Sequence, residues 1–475
     1  MTLLLEQAER ALREKSQDLN PRWYPHYHLA ARAGWINDPN GLVWFDGWYH
    51  AFYQHHPYSV QWGPMHWGHA RSRDLLHWEH LPVALAPEGP EDKDGCFSGS
   101  AVVNGDELAL IYTGHKFHGD ASSDDNLYQV QCLATSRDGV HFSRQGLVLD
   151  TPAGLHHFRD PKVWQQDGAW WMVVGARDGD IGEVRLYRSA DLREWQDAGV
   201  LAVAGQGQGF MWECPDFFTL DGQQVLMFSP QGMTAAGFDN RNLFQSGCLV
   251  GRWQPGAPFV AHGAFRELDH GHDFYAPQSF LAPDGRRMVI GWLAMWESPM
   301  PEQQDGWAGM LSLPRELSLT ADNRVQMRPA RELDQLRQHW QAWPVSVLNN
   351  QQQSVMDNAE TCEVLLRWDR AASSAEQYGI ALGEGMRLYV DAQAQRLVLE
   401  RHYPQHGLCG QRSVPLGDAG ELTLRVFFDR SSVEVFVNDG EACLSSRIYP
   451  EQRQLQAFAW SGSATFIESG SWSLN

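Results

Sequence analysis

Positive charge is scarce in this sequence: 37 Lys and Arg stand against 58 Asp and Glu, a formal net charge of −21. Nucleic acids and anionic membrane surfaces are gripped by clustered Lys and Arg, so neither is an expected partner, and a small neutral ligand suits the chain better. Long hydrophobic runs are missing as well. Leu3-Leu4-Leu5 is followed at once by Glu6, Glu9, Arg10, Arg13 and Glu14, which leaves no signal-peptide core and no membrane span; residues 1–22 are expected to form a short amphipathic helical segment. The cysteines lack a pattern. Seven of them, at 96, 132, 214, 248, 362, 409 and 443, are scattered with no C-x-x-C pair, which argues against a disulfide framework or zinc site and for reduced thiols in a cytoplasmic protein. Tryptophan, by contrast, is plentiful at 21 residues. Flat aromatic faces fill cores or form platforms for sugar rings, and core packing should account for most of them.

A chain of 475 residues exceeds a single core and should divide into two or three domains. Its internal repeat shows how. Asp46-Gly47, Asn104-Gly105, Asp167-Gly168, Asp221-Gly222 and Asp284-Gly285 each precede an apolar run, with glycine spacings of 58, 63, 54 and 63 residues. Asp-Gly or Asn-Gly between apolar runs is the strongest short-range hairpin signal. A second echo, Ser72-Arg73-Asp74, Ser136-Arg137-Asp138 and Ser189-Ala190-Asp191, marks outer-strand turns. The spacing predicts an all-β chain: a five-bladed β-propeller over 23–330, in preference to a large sandwich or jelly roll. Ala330 to Trp340 has the charge and spacing of a connecting helix, giving a helical linker over 331–354. Alternating runs such as Leu422 to Phe427 and Val433 to Val437 then predict a β-sandwich over 355–475, which shows no acid constellation and reads as a stabilising domain.

The stretch Trp35-Ile36-Asn37-Asp38-Pro39-Asn40-Gly41 places a carboxylate, two amides and an indole in what reads as a loop. Pro39 should push Asp38 toward an extended conformation on a corner entering a strand. Taken alone, it can be an Asx-type turn in which Asp38 caps its own backbone. The repeat argues otherwise: Asp38, Asp160 and Glu213 lie 9, 8 and 9 residues before their blade's turn glycine, and therefore should share one position at the channel mouth. Pro161, Pro215 and Pro277 repeat the stiffened entry. Converging carboxylates repel, and persist where a cation or a reaction needs them. A metal cage wants more oxygen ligands or well-placed histidines; His26, His28, His55 and His56 fall near blade one, but neighbouring strand residues face opposite ways, and no metal or cofactor is expected. Two carboxylates flanking a bond are the apparatus of glycoside hydrolysis, one as nucleophile and one as general acid and base.

The motifs Trp35 to Gly41, Phe52-Tyr53-Gln54, Trp62-Gly63-Pro64 with Trp67 to Ala70, Phe97 to Ser100, Arg159-Asp160-Pro161 and Trp212 to Pro215, in that order, resemble glycoside hydrolase family 32, the invertases and fructan hydrolases. The resemblance spans nearly the whole chain; its small departure is Ile36, where Met is frequent. It implies a retaining β-fructofuranosidase acting on sucrose or its 6-phosphate, with Asp38 as nucleophile, Glu213 as acid and base, and Asp160 binding fructosyl hydroxyls. Asn37, Gln54, Trp62, Phe97, Ser98, Arg159, Tyr275 and Trp292 match positions lining the fructose pocket. Glu213 must carry a proton when Asp38 does not, and crowding among the acids is the expected means; retention implies carboxyls about 5 to 5.5 Å apart. Alternatives are a fructan hydrolase or fructosyltransferase on the same site, an arabinan-type propeller glycosidase, or a non-catalytic sugar-binding propeller. A monomer or homodimer is compatible with the flat faces of the β domains.

Overall fold

A computed structural model describes residues 2–475. Five antiparallel sheets succeed one another along the chain, each starting from an inner strand: β1 (Gly34–Phe45), β2 (Gly95–Asn104), β3 (Phe158–Gln166), β4 (Gln208–Leu220) and β5 (Tyr275–Leu281). These five strands neighbour one another in a ring, so the five-bladed propeller expected from the turn repeat is the fold. At Asp46-Gly47, Asp167-Gly168 and Asp221-Gly222 both residues have positive φ (47° and 79°, 52° and 73°, 47° and 81°), the type I′ backbone whose twist matches that of the flanking strands. The Ser-x-Asp echoes join the third and fourth strands of blades one to three, where Asp74, Asp138 and Asp191 each accept two backbone N–H bonds. Between the second and third strands of blade five the chain returns to blade one, and β6 (Trp307–Ala308) pairs in parallel with the head of β1, Gly34 opposite Trp307. Apolar faces of successive blades bury against each other, Phe52 and Trp67 against Tyr112, Ile111 against Trp170 and Met172, and Trp171 against Phe217.

The stretch from Trp35 to Gly41 is not a loop. It lies inside β1, whose pairing with the next strand slips between Ile36 and Pro39 and again between Asn40 and Val43. Proline has no N–H for the ladder and is tolerated where a bulge interrupts it. The proline motifs of blades three to five are likewise interior bulges, not strand entries, and the residues before them, Asp160, Cys214 and Ala276, take φ of +69°, +49° and +51°. These are strained conformations for residues with a Cβ, and the surrounding sheets impose them.

The N-terminal segment forms the expected helix, Leu3–Gln17, with Ala8 and Leu12 buried against Ala33 and Val83. The expected helical linker does not form. Arg331–Leu336 is a short 3-10 helix, and Arg337–Ala342 and Val347–Met356 are strands of the sandwich, which therefore begins near 337 instead of 355. Both are mostly solvent-exposed edge strands, so their side chains carry no apolar alternation to read. They pair with β7 (Leu455–Leu474), a 20-residue strand whose first half also pairs with Gln377–Leu382 and whose second half pairs with Thr361–Asp369, joining the two sheets.

Propeller and sandwich meet across buried charge. Arg315 reaches Asp269 at 2.9 Å and Glu434 at 2.6 Å; Arg401 and Arg447 hold Asp273 at 2.6 and 3.0 Å; His28 bridges Asp429 and Glu434 at 2.7 Å each. Asp429 also accepts the backbone N–H groups of His26, Tyr27 and His28. The sandwich thus does carry buried acids, Asp429 and Glu434, and spends them on the propeller.

Candidate active site

The bulges of the inner strands set the site. Ile36, Glu213, Arg159 and Tyr275 are the last paired residues before the slip in their blades, opposite His55, Ser229, Gly175 and Trp292. Counted from there, Glu213 is the paired residue itself, Asp160 stands one residue on and Asp38 two. The three acids therefore occupy successive positions of equivalent bulges, not the single shared position expected from the glycine offsets. A bulge adds one residue and re-aims its neighbours, which is how side chains at different counts still converge.

Cys214 sits at the point of convergence. Its thiol donates to Asp38 Oδ2 at 3.4 Å and Asp160 Oδ2 at 3.5 Å, and its backbone N–H donates to Asp160 Oδ2 at 2.9 Å. Ligand atoms of these three residues lie within 4.8 Å of one another, a spacing that resembles a metal cage. Burial and the adjacent acids push the thiol's pKa well above its usual value, so Cys214 stands here as a proton donor to the carboxylates.

Asp38 is buried and accepts from Ser98 Oγ at 2.6 Å and Asn37 Nδ2 at 3.0 Å, while Asn37 Oδ1 accepts from Trp35 Nε1 at 2.8 Å. Burial, with the charge of Glu213, raises the pKa of Asp38, and the bonds from Ser98, Asn37 and Cys214 oppose the rise. Asp160 is pushed up to about 7, first by burial, with Glu213 and Asp38 adding to it and Arg159 pulling against them. Glu213 is held on both oxygens: Oε1 accepts from Arg159 Nε at 3.1 Å and Nη2 at 2.8 Å, Oε2 from Gln231 at 3.0 Å and the Tyr275 hydroxyl at 2.5 Å. Further along the inner strands Lys162 pairs with Asp216 at 3.2 Å.

The other expected pocket residues divide into two groups. Trp62, 46% exposed, stands edge-on to Phe97, which stacks on His115 at 3.9 Å; these rings form an open apolar wall. Gln54 is buried, with its amide donating to Asn40 Oδ1 and the Cys96 carbonyl, and braces the floor. Trp292 is fully buried behind Trp35 and Trp296, and Trp67 and Trp212 are core residues. Sequence reasoning passed over Cys214 as a donor, and over Gln231 and His157. Gln231 gives no motif signal because it comes from the second strand of its blade; His157 lies just ahead of β3, two residues before Arg159, a spacing that puts two side chains of extended chain on one side.

Comparisons with known proteins agree on one family. Residues 28–329 match the glycosyl hydrolases family 32 N-terminal domain and residues 332–473 the family 32 C terminal. A sucrose-6-phosphate hydrolase and a raffinose invertase, both of Escherichia coli, are each 55% identical to the chain over 99% of both sequences. Among solved structures, a Bombyx mori GH32 β-fructofuranosidase is 35% identical with a TM-score of 0.87, covering 99% of this chain and 98% of that one, and a variant of it is solved in complex with sucrose.

Proposed function

The chain belongs to glycosyl hydrolase family 32, and on that premise we propose that it is a retaining β-fructofuranosidase of the cytoplasm that releases fructose from sucrose and sucrose 6-phosphate. The observation that carries the reading is the meeting of Asp38, Asp160 and Glu213 on the inner strands of three different propeller blades. Relatives named for sucrose-6-phosphate and raffinose hydrolysis support the substrate class, and seven free thiols suit a reducing compartment.

In the proposed cycle Asp38 attacks the anomeric carbon of the fructosyl unit while Glu213 gives its proton to the glycosidic oxygen. That bond breaks, glucose or glucose 6-phosphate leaves, and a fructosyl ester on Asp38 remains. Glu213 then takes a proton from water, whose oxygen attacks the same carbon and returns Asp38 as a carboxylate. Ser98, Asn37 and Cys214 aim the nucleophile and stabilise its anion through hydrogen bonds. Asp160, with a pKa near neutrality, can accept from or donate to sugar hydroxyls, and Trp62 with Phe97 offers ring faces to the sugar.

The test is Glu213→Gln, which keeps the shape and the bonds from Arg159 but has no proton to give. Turnover of sucrose should drop by roughly 10²–10⁴, the usual share of general acid–base catalysis; near-normal hydrolysis would refute the assignment. Comparing kcat/KM for sucrose and sucrose 6-phosphate in the unmodified enzyme ranks the two substrates.

A further inference from the structure

We propose that His157 is a positioning residue for the reaction, acting through Arg159 to fix the carboxyl group of Glu213. The inference rests on the role given to Glu213 above. Three contacts in series carry it. Glu213 Oε1 takes bonds from Nε and Nη2 of Arg159; the remaining arm of the same guanidinium, Nη1, lies 3.0 Å from His157 Nδ1; and His157 Nε2 lies 2.9 Å from Asp124 Oδ2.

Hydrogen-bond chemistry leaves one arrangement for this chain. Arginine only donates, so Nδ1 of His157 must present its lone pair. Nε2 then bears the hydrogen, and a carboxylate is the acceptor it meets. The imidazole is neutral and locked in one tautomer by partners on both sides. Its neighbours are arranged to keep it so: Arg159 meets Nδ1, and Arg177 lies 4.0 Å from the Asp124 oxygen that Nε2 meets. Burial and the Arg159 charge lower the pKa of His157, outweighing the pull of Asp124.

The consequence concerns the plane of the guanidinium. Gln129 Oε1 also receives Nη1, at 3.3 Å, so Nη1 is held by two acceptors on the side away from Glu213. A planar fork fixed at one tip can rotate less, and its other edge stays on Oε1. Without the His157 acceptor Nη1 keeps only the longer bond to Gln129, the fork can tilt, and Oε1 of the general acid is held less firmly. Such small misplacements cost rate without removing any reacting group.

Two substitutions separate this role from simple packing. In His157→Asn the amide oxygen falls where Nδ1 was and can still accept from Arg159; in His157→Gln the side-chain end falls where Nε2 was and leaves Arg159 without that acceptor. We expect His157→Asn to keep kcat for sucrose within about threefold and His157→Gln to lose about tenfold, both with KM nearly unchanged. Asp124→Ala, on an exposed loop, should lower kcat about two- to threefold by unlocking the tautomer. Equal kcat in the Asn and Gln variants, or an effect confined to KM, overturns the proposal; should the Gln variant not fold, an unchanged kcat in Asp124→Ala overturns it alone. An active Glu213→Gln enzyme would instead overturn the underlying assignment, so the two failures are distinct.

Discussion

Two regions of this molecule bury several carboxylates each, and they do it with opposite electrostatic results. At the channel mouth three acids share one guanidinium, that of Arg159, and burial wins: Asp38 and Asp160 are both raised. At the junction of propeller and sandwich, Asp269, Asp273, Asp429 and Glu434 are matched by Arg315, Arg401, Arg447 and His28. There the cations win. Burial alone would raise Asp273, Asp429 and Glu434, but Arg401 and Arg447, His28, and Arg315 with His28 respectively bring all three down, Glu434 to about 2. Burial is common to both, so the sign of the shift follows the count of counter-charges. The junction is built for cohesion; the mouth keeps unbalanced acid for chemistry at a cost in stability.

That contrast can be broken hardest at the junction. Replacing Arg447 by Met leaves Asp273 with one of its two guanidiniums in a fully buried setting, and removal of one partner of a buried pair costs about 3–5 kcal/mol. Calorimetry should record a marked fall in Tm; an unchanged Tm would show that the network is not what joins the domains.

The next largest effect is a pH dependence. Burial lowers the pKa of His28, but bonds to Asp429 and Glu434 outweigh it and raise it to about 9. A raised histidine contributes stability that is complete below its unfolded pKa of about 6.5 and lost as pH climbs through the folded value. Thermal melts of the unmodified protein should weaken between pH 6.5 and 9, by roughly 2–3 kcal/mol at about 1.4 kcal/mol per unit. In His28→Gln that slope should flatten; an identical slope would assign the loss to other groups.

The last expected change runs the same way with pH, but here a substitution should stabilise, and it belongs to the mouth. Asp160 is raised to about 7, so the folded state holds its proton more tightly than the unfolded chain does, and stability is lost as pH rises from about 4 through 7. Asp160→Asn should therefore melt a few degrees higher than the parent at pH 8, with the difference closing by pH 4, while sucrose hydrolysis falls. A variant that melts lower at pH 8 would mean that the acids at the mouth are not held against their own repulsion.

The propeller was legible because its signals are local. Asp46-Gly47 and its counterparts encode positive φ within two residues, and their spacing counts the blades. The acids were legible through their distance from those turns, but only to within a residue or two, since the bulges that separate Asp38, Asp160 and Glu213 depend on the partner strand. The strand Val347–Met356 was hidden because only Leu348 and Val355 turn inward while Asn349 to Gln352 face solvent. The junction was wholly hidden: which arginine meets Asp273 is decided by docking across 128 to 174 residues of chain, and no spacing rule reports it.

The parallel pairing of β6 with β1 closes the ring between positions 273 residues apart. During synthesis, the strand bearing Asp38 is among the first to leave the ribosome, yet it gains its second neighbour only after residue 308 has emerged. Ring closure over such a distance is costly in chain entropy and is slow. A nascent chain shorter than this has an open propeller with Gly34 and Trp35, at the head of the strand that carries Asp38, unpaired on one side, and hydrolytic capacity should arise late and all at once, when the last blade reaches the first.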